Sequence, residues 1–327
     1  MEENPKPDIS IVVPLYNEEE SLPMLIERLI MVMASSPFKV NTILIDDGST
    51  DRTREIITTL AKKNAAFFSL ILSKNHGHQL AITAGMNYVN SSKGVMIIDG
   101  DLQDPPELII PWYELLTEKN YDVIYGVRAM RDDEGGFKKI TSNLFYKGLN
   151  WLTSEPIPLN SGDFCMMSTR IINLMNAMPE RYRFVRGMRA SMGFKQKAYP
   201  YDRQKRVAGE THYTFKKMSR LALDAIYGFS EVPYRIMIKF GIVLIGISTI
   251  YLLYSMIKAL VFGTVVSGFL GLLSCIILIG GINLFGLGIL GGYIVRNFFE
   301  LKSRPLFIID EYIKDQETIR PQYNRES

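Results

Sequence analysis

The chain reads as an α/β protein, a mostly parallel sheet with flanking helices, followed by interfacial helices and two transmembrane helices. Three observations predict this. Short Ile- and Val-rich runs alternate with amphipathic stretches from Asp8 to Arg128, the rhythm of an open sheet covered by helices. A run from Gly94 to Ile98 ends in two carboxylates, Asp99 and Asp101, and is stopped by Pro105-Pro106. Finally, no charged residue occurs between Lys239 and Lys258, or between Lys258 and Arg296.

The first strand is predicted over Asp8 to Val13, ending at Pro14. Leu15-Tyr16-Asn17-Glu18 follows, so a ligand beyond the strand end meets Tyr16, Asn17 and Glu18. Leu25, Ile26, Leu29, Ile30 and Met33 then form a helical stripe. Val40 to Ile45 is the second strand, closed by Asp46-Asp47-Gly48-Ser49-Thr50-Asp51. These acidic side chains either accept hydrogen bonds from a nucleotide or simply begin the next helix. Phe67 to Leu72 is the third strand, and Asn75-His76-Gly77-His78-Gln79 leads into a helix from Leu80. His76 and His78 are too close for a helical zinc pair, and no metal role is expected of them.

The stretch after the fourth strand is the most informative. Alternation places Asp99 and Asp101 on one face if the backbone stays extended, while Gly100 equally permits a tight turn. In either geometry two anionic oxygens stand at a strand end, which suits a hard divalent cation bridging to phosphate. A helix from Pro105 to Lys119 and a strand from Asp122 to Gly126, leading to Val127-Arg128, complete the series.

Beyond Ala129 the chain becomes charged, then amphipathic through Phe137, Ile140, Leu144, Phe145 and Leu149. Asp163 opens a short apolar run at Phe164 to Met167, as a turn residue or as a contact to reacting groups. Four arginines lie between Arg181 and Arg189, and Lys205-Arg206 precede Gly209-Glu210-Thr211-His212. Such a basic loop is either a solvated face or a clamp for phosphate oxygens. Thr214 to Tyr227 reads as an interfacial helix or one packed on the body.

The charge-free stretches predict spans over Ile238 to Phe262 and Phe269 to Val295. The expected plan is a catalytic domain at 1–210, interfacial helices at 211–237, a two-helix membrane domain at 238–295 and a tail at 296–327. Lys and Arg flank both spans while their link is uncharged, so both termini are expected on the inner side. No basic n-region with an apolar core opens the chain, so no cleavable signal is expected. The Gly288 to Gly292 spacing permits close helix approach and favours a homo-oligomer. Leu306 to Ile309 is a strand candidate for another subunit or for the soluble domain. A net charge of +3 is too small to imply nucleic acid, and two distant cysteines imply neither disulfide framework nor zinc site.

Taken together, Pro14-Leu15-Tyr16-Asn17-Glu18, Asp46-Asp47-Gly48-Ser49-Thr50-Asp51, Asp99-Gly100-Asp101-Leu102-Gln103-Asp104-Pro105-Pro106 and the Arg206-x-x-Gly209-Glu210 loop resemble family-2 glycosyltransferases acting on polyprenyl phosphate. The resemblance is to GtrB-type polyisoprenyl-phosphate glucosyltransferases and, more distantly, dolichyl-phosphate mannose synthases. It implies a GT-A type fold in which Pro14, Tyr16, Glu18 and Asp47 line the nucleotide pocket. Asp99, Asp101 and Gln103 are implied to hold Mg2+ or Mn2+ and the diphosphate, with Asp104 in support. Arg128 and Arg206, helped by Lys205, are implied at the acceptor phosphate. The loop departs from the family's Gly-Glu-Ser-Lys at Thr211 and His212. The implied activity is inverting hexose transfer, with UDP-glucose favoured, to undecaprenyl phosphate at a bacterial inner membrane. GDP-mannose, another UDP-sugar and an inactive membrane scaffold are the alternatives.

Overall fold

The computed structural model describes residues 6–128, 161–181, 183–202, 269–302 and 304–321, with isolated helical positions at 243, 250, 257, 260 and 261. Four strands form the centre of its sheet: β1 (Ile9–Leu15), β2 (Val40–Asp46), β3 (Phe67–Leu72) and β4 (Gly94–Ile97). They lie parallel in the order β4-β1-β2-β3. Parallel neighbours need crossovers, supplied by α1 (Leu22–Ser35), α2 (Thr53–Lys63) and α3 (His78–Tyr88). Each helix turns an apolar stripe inward, as with Leu22, Leu25, Leu29 and Val32 on α1. Because helices cover both faces, β1 is buried along its whole length.

The remaining strands change the character of the sheet. After a 3-10 turn at Pro106–Leu108 and α4 (Ile109–Thr117), the chain forms β5 (Val123–Arg128) and β6 (Ser161–Ser168). β6 inserts antiparallel between β4 and β5. The helices α5 (Thr169–Ala177) and α6 (Val185–Ser191) then lead to β7 (Gln196–Tyr201), parallel to β5. Trp112 of α4, fully buried, packs on Phe164 with ring centroids 4.5 Å apart, and Phe164 meets Tyr201 at 5.0 Å. Those aromatic contacts join the two halves of the sheet in one core.

The far edge is closed by the C-terminal segment. β8 (Ile309–Lys314) pairs antiparallel with β3, and β9 (Glu317–Ile319) folds back on β8. This strand begins three residues beyond the start of the expected Leu306–Ile309 run, and it buries Ile309 and Ile313. Arg54 of α2 ties it down through Asp310 at 2.6 Å and Glu311 at 3.1 Å. The full order is β7-β5-β6-β4-β1-β2-β3-β8-β9. Four of its pairings are parallel and four antiparallel, so the expected mostly parallel sheet is corrected to a mixed one. Sequence periodicity locates strands but does not orient those that return after a long excursion.

The chain divides into two compact units. One comprises 1–142, 156–215 and 304–327, and the other 143–155 and 216–303. The second contains α7 (Phe269–Leu301), a helix of 33 residues. Among the described residues no helix is long and apolar enough to cross a membrane, which corrects the expected two transmembrane helices. The stretch 238–262 falls almost wholly outside the described residues, as do the predicted interfacial helices. In α7 the described side chains do not form an unbroken apolar run, since Asn283, Asn297 and several glycines interrupt it. The expected multi-pass topology, inner-membrane location and cytoplasmic termini rested on those spans and are corrected with them.

Because Ile313 is 1% exposed in the core of the first unit, Ile313→Ala is expected to cost about 2–5 kcal/mol. Chemical denaturation reads this directly, and an unchanged midpoint would show that β8 adds nothing to the sheet.

Candidate active site

The parallel strands β1, β2, β4 and β5 end at one edge of the sheet, where β6, running the other way, begins. Ligands in open α/β sheets collect at this edge. The turns after β1 and β2 interlock there. Asn17, in the left-handed region at φ 55°, accepts from the Thr50 amide at 2.8 Å and donates its own amide to Ser49 Oγ at 3.0 Å. The Glu18 amide donates to Thr53 Oγ1 at 2.9 Å, and Asp51 accepts from the amides of Glu19 and Thr53. Ser49 and Asp51 are therefore engaged in holding the two turns together. A polar cleft of about 310 Å³ results, lined by Asn17, Glu18, Glu19, Ser21, Thr50 and Asp51. Tyr16, 41% exposed, follows the end of β1, Pro14 pairs with Ile45 within the sheet, and Glu18 accepts from Ser21 Oγ.

Asp47 anchors a third loop. Its two carboxylate oxygens accept from the backbone amides of His76 at 2.7 Å and Gly77 at 2.9 Å. Burial raises its pKa, and although the two amides pull it down, the net result is about 6. Gly48 makes the approach possible. It sits at φ 70°, and a Cβ there would lie 2.5 Å from the backbone of Lys74 and Asn75. The C-terminal segment holds the same loop from the other side: the Ser73 amide donates to the Ile308 carbonyl at 2.9 Å. The Ile308 amide in turn donates to His76 Nε2 at 3.4 Å.

Between Ile97 and Asp104 the backbone turns rather than staying extended, with Leu102 at φ 61°. Gly100 packs so closely on β1 that a Cβ would lie 2.6 Å from Leu15 Cδ2. The carboxylates diverge as a result. Asp101, buried, accepts from the Gln103 amide at 3.2 Å, while Asp104, also buried, accepts from the Tyr201 hydroxyl at 2.8 Å and from the Asp99 amide at 3.4 Å. Asp99 turns toward His78, with Nε2 3.5 Å from Oδ1. Among the described residues no group of three or more His, Cys, Asp or Glu side chains is arranged to hold a metal ion. The expected metal binding is corrected to this extent; Asp99, Asp101 and Gln103 include only two such side chains, so that finding does not bear on their assignment.

The arrangement the sequence reading missed lies beside Asp99. β6 pairs antiparallel with β4 as far as Cys165 opposite Ile97, which leaves Asp163 at the strand-end edge, where it shares His78 with Asp99. Asp163 is 4% exposed. It accepts from Arg186 Nε at 3.0 Å and from Gln79 Nε2 at 2.8 Å, and His78 Nε2 lies 3.3 Å away. Burial alone would raise its pKa, but the Arg186 charge and the bond from His78 hold the carboxyl far below its ordinary range. For His78, burial pulls toward the neutral ring, and its bond to Asp163 with the charge of Asp99 overcomes this, raising the pKa to about 9. His78 is therefore an imidazolium at neutral pH, held by one carboxylate from β6 and one from the turn after β4. The Gln79 carbonyl oxygen closes the group by accepting from the Val185 amide at 2.8 Å.

Of the four arginines, Arg183 donates to the carbonyls of Met175 and Met178, and Arg189 stacks over the Tyr125 ring at 4.7 Å. Both bind the protein itself, and Arg186 belongs to the cluster just described. Arg128 is the last residue of β5, at the same edge of the sheet. Lys205, Arg206 and His212 lie outside the described residues.

Asp163→Asn removes the anion that holds Arg186 and His78, and is expected to destabilise the fold by about 3–5 kcal/mol. Asp163, with its lowered pKa, contributes stability above about pH 4 that is lost as pH falls. The raised pKa of His78 gives a contribution that is fully present below about pH 6.5 and lost as pH rises through about 9. The ring is 44% exposed, so solvent screens part of it. The wild-type advantage over Asp163→Asn in thermal melts should thus narrow between pH 7 and 10; a constant gap would remove His78 from the pairing.

Residues 10–174 match the model of glycosyl transferase family 2. A glycosyltransferase of Bacillus subtilis, YkcC, is 39% identical over 302 residues, covering 92% of this chain and 93% of that protein. The bactoprenol glucosyl transferase of Shigella phage SfII is 36% identical over 301 residues, covering 92% and 97%. Among solved structures, a mannosyltransferase from Pyrobaculum calidifontis in complex with GDP-Man and Mn2+ aligns with a TM-score of 0.47 at 15% identity, over 69% of this chain and 64% of that one. With the family model spanning residues 10–174 and relatives matched over nearly their full length, the chain belongs to glycosyl transferase family 2.

Proposed function

We propose that the protein transfers a hexose, glucose in the first instance, from a UDP-sugar to a polyprenyl phosphate. The observation that carries this reading is the near-full-length similarity to bactoprenol glucosyl transferases, 36% identical with 97% of the phage SfII protein covered. The polar cleft beside Glu18 and the anchored Asp47 support a nucleotide site at the ends of β1 and β2, with Pro14 and Tyr16 at its rim. In the reaction, an oxygen of the lipid monophosphate forms a bond to the anomeric carbon as the bond from that carbon to the diphosphate breaks. UDP departs with the electron pair, and attack from the opposite side inverts the anomeric configuration. The attacking oxygen is already anionic, so no strong base is required, and basic groups align it with the donor.

Asp99 and Asp101 are assigned to the donor side of this reaction. Asp104 takes a supporting role, consistent with its bond from Tyr201. Arg128, Arg206 and Lys205 are assigned to the acceptor phosphate. A Mg2+ or Mn2+ requirement is consistent with a cation that arrives on the diphosphate, since Mg2+ typically takes ligands from substrate phosphates rather than from an all-protein cage. A lipid surface is the natural partner, because a prenyl tail taken into water loses about 0.8 kcal/mol per methylene. The exposed apolar side chains of α7, including Leu287, Ile294 and Phe298, support contact with an apolar phase. Gly280, Gly288 and Gly291 have open space at their Cβ positions, which supports helix association in a homo-oligomer. Light scattering of the purified protein reads the copy number, and a monomer would end that part of the proposal.

The test is to incubate the protein with undecaprenyl phosphate, Mg2+ or Mn2+, and a panel of UDP- and GDP-sugars, and to identify the lipid product by mass spectrometry. UDP-glucose should give glucosyl phosphoryl undecaprenol, and Asp101→Ala or Arg206→Ala should each remove most of it. Product from GDP-mannose alone would overturn the sugar, and no glycolipid from any donor would overturn the activity.

With its pKa near 6, Asp47 loses its charge in mild acid, and with it the charge-assisted grip on the His76–Gly77 loop. UDP-glucose affinity should accordingly fall as pH drops through about 6, and Asp47→Asn should flatten that profile. A wild-type profile that is level from pH 5 to 8 would place Asp47 outside the donor site.

A further inference from the structure

His76 is bound at both ends. Its amide donates to Asp47 at 2.7 Å, and its ring accepts from the Ile308 amide, with Nε2 3.4 Å away. Ile308 lies just before β8, outside the ladder that closes the sheet, which ends with Leu72 opposite Ile309. The pairing nevertheless runs on past that point, because the Ser73 amide donates to the Ile308 carbonyl at 2.9 Å. Covering the edge of β3 requires none of these further bonds. They fall instead on the 73–77 loop, whose amides at His76 and Gly77 hold the two Asp47 oxygens. Gly48 seats the same loop against the turn after β2, since a Cβ there would lie 2.5 Å from the backbone of Lys74 and Asn75. Just beyond Ile308, Arg54 of α2 fixes the strand through Asp310 at 2.6 Å and Glu311 at 3.1 Å. The loop is thus clamped between a strand-end carboxylate on one side and an anchored C-terminal strand on the other.

We propose that the C-terminal segment is a working part of the donor site, with Ile308 and His76 as positioning residues that set the 76–77 amides, and through them Asp47, for the nucleotide. The inference rests on the reading of Asp47 as a nucleotide-site residue. Both residues act through Asp47 rather than on the substrate. A loop held in this way needs less ordering when the nucleotide arrives, so the signature belongs to affinity and not to turnover.

UDP binding is measured by calorimetry, with GDP in parallel, for wild type, Ile308→Pro, His76→Ala, Asp47→Ala and the His76→Ala/Asp47→Ala double variant. At about pH 8 an imidazole is neutral and keeps one nitrogen as an acceptor. Ile308→Pro deletes the amide proton that reaches the ring while keeping the carbonyl that takes Ser73. Thermal melts accompany each variant, and His76→Ala serves should the proline variant fail to fold. The expected result is about fivefold weaker nucleotide binding in either single variant, the scale of one net hydrogen bond. KM for UDP-glucose should rise by the same factor with kcat kept, and His76→Ala should add little once Asp47→Ala is present. Wild-type affinity in the folded variants, a fall in kcat at constant KM, or a full fivefold loss added to that of Asp47→Ala would each overturn the inference and leave the donor reading intact. Wild type that binds neither diphosphate, or Asp47→Ala that binds as tightly as wild type, would instead overturn the donor reading of Asp47, and this inference with it.

Discussion

The buried carboxylate of Asp163 sets the terms for the whole strand-end edge. An ionised acid with 4% exposure survives only where cations and donors surround it, and here they come from two helices. Gln79 and His78 open α3, Arg186 lies on α6, and Asp99 approaches from the turn after β4 through the shared histidine. Satisfying one buried charge thereby fixes how a central crossover helix meets the antiparallel strand β6. The site is assembled as a by-product of solving a desolvation problem.

A second constraint is steric. Gly48 and Gly100 let the turns after β2 and β4 approach neighbouring backbone and side chains more closely than any Cβ permits. With Asp47 tied to the 76–77 amides, the loops at this edge form a connected set rather than independent excursions. The interlocked Asn17–Thr50 and Glu18–Thr53 bonds extend the set to β1. Local polar groups thus rigidify one another, leaving the exposed Tyr16 and the half-exposed His78 as surfaces that face outward.

The sequence made the four parallel strands and their helices legible, because buried strands read as unbroken Ile and Val runs and each helix carried a periodic stripe. It also marked Asp47, Asp99 and Asp101 as strand-end acids. What it hid was pairing across distance. The apolar run inside β6 is short, and nothing local states that it runs antiparallel beside β4, so the approach of Asp163 and Asp99 to one histidine is not legible in it. The spacing of His78 from His76 bears only on metal ligation and says nothing of its carboxylate partners. An acid placed within an apolar strand was the available clue, since such a residue demands a cation from elsewhere. Hydropathy alone marks two spans, whereas among the described residues no helix is long and apolar enough to cross a membrane.

The pairing of β3 with β8 joins Ser69 to Ile313, while the residues between include the entire second unit. During synthesis β3 therefore waits with an open edge until nearly all of the chain has left the ribosome. Contacts of such sequence separation slow folding, and an unpaired edge strand is a template for association with other chains. The enzyme's first unit is in this sense completed last, and its nascent form is the stage at which it is most exposed to aggregation and to chaperones.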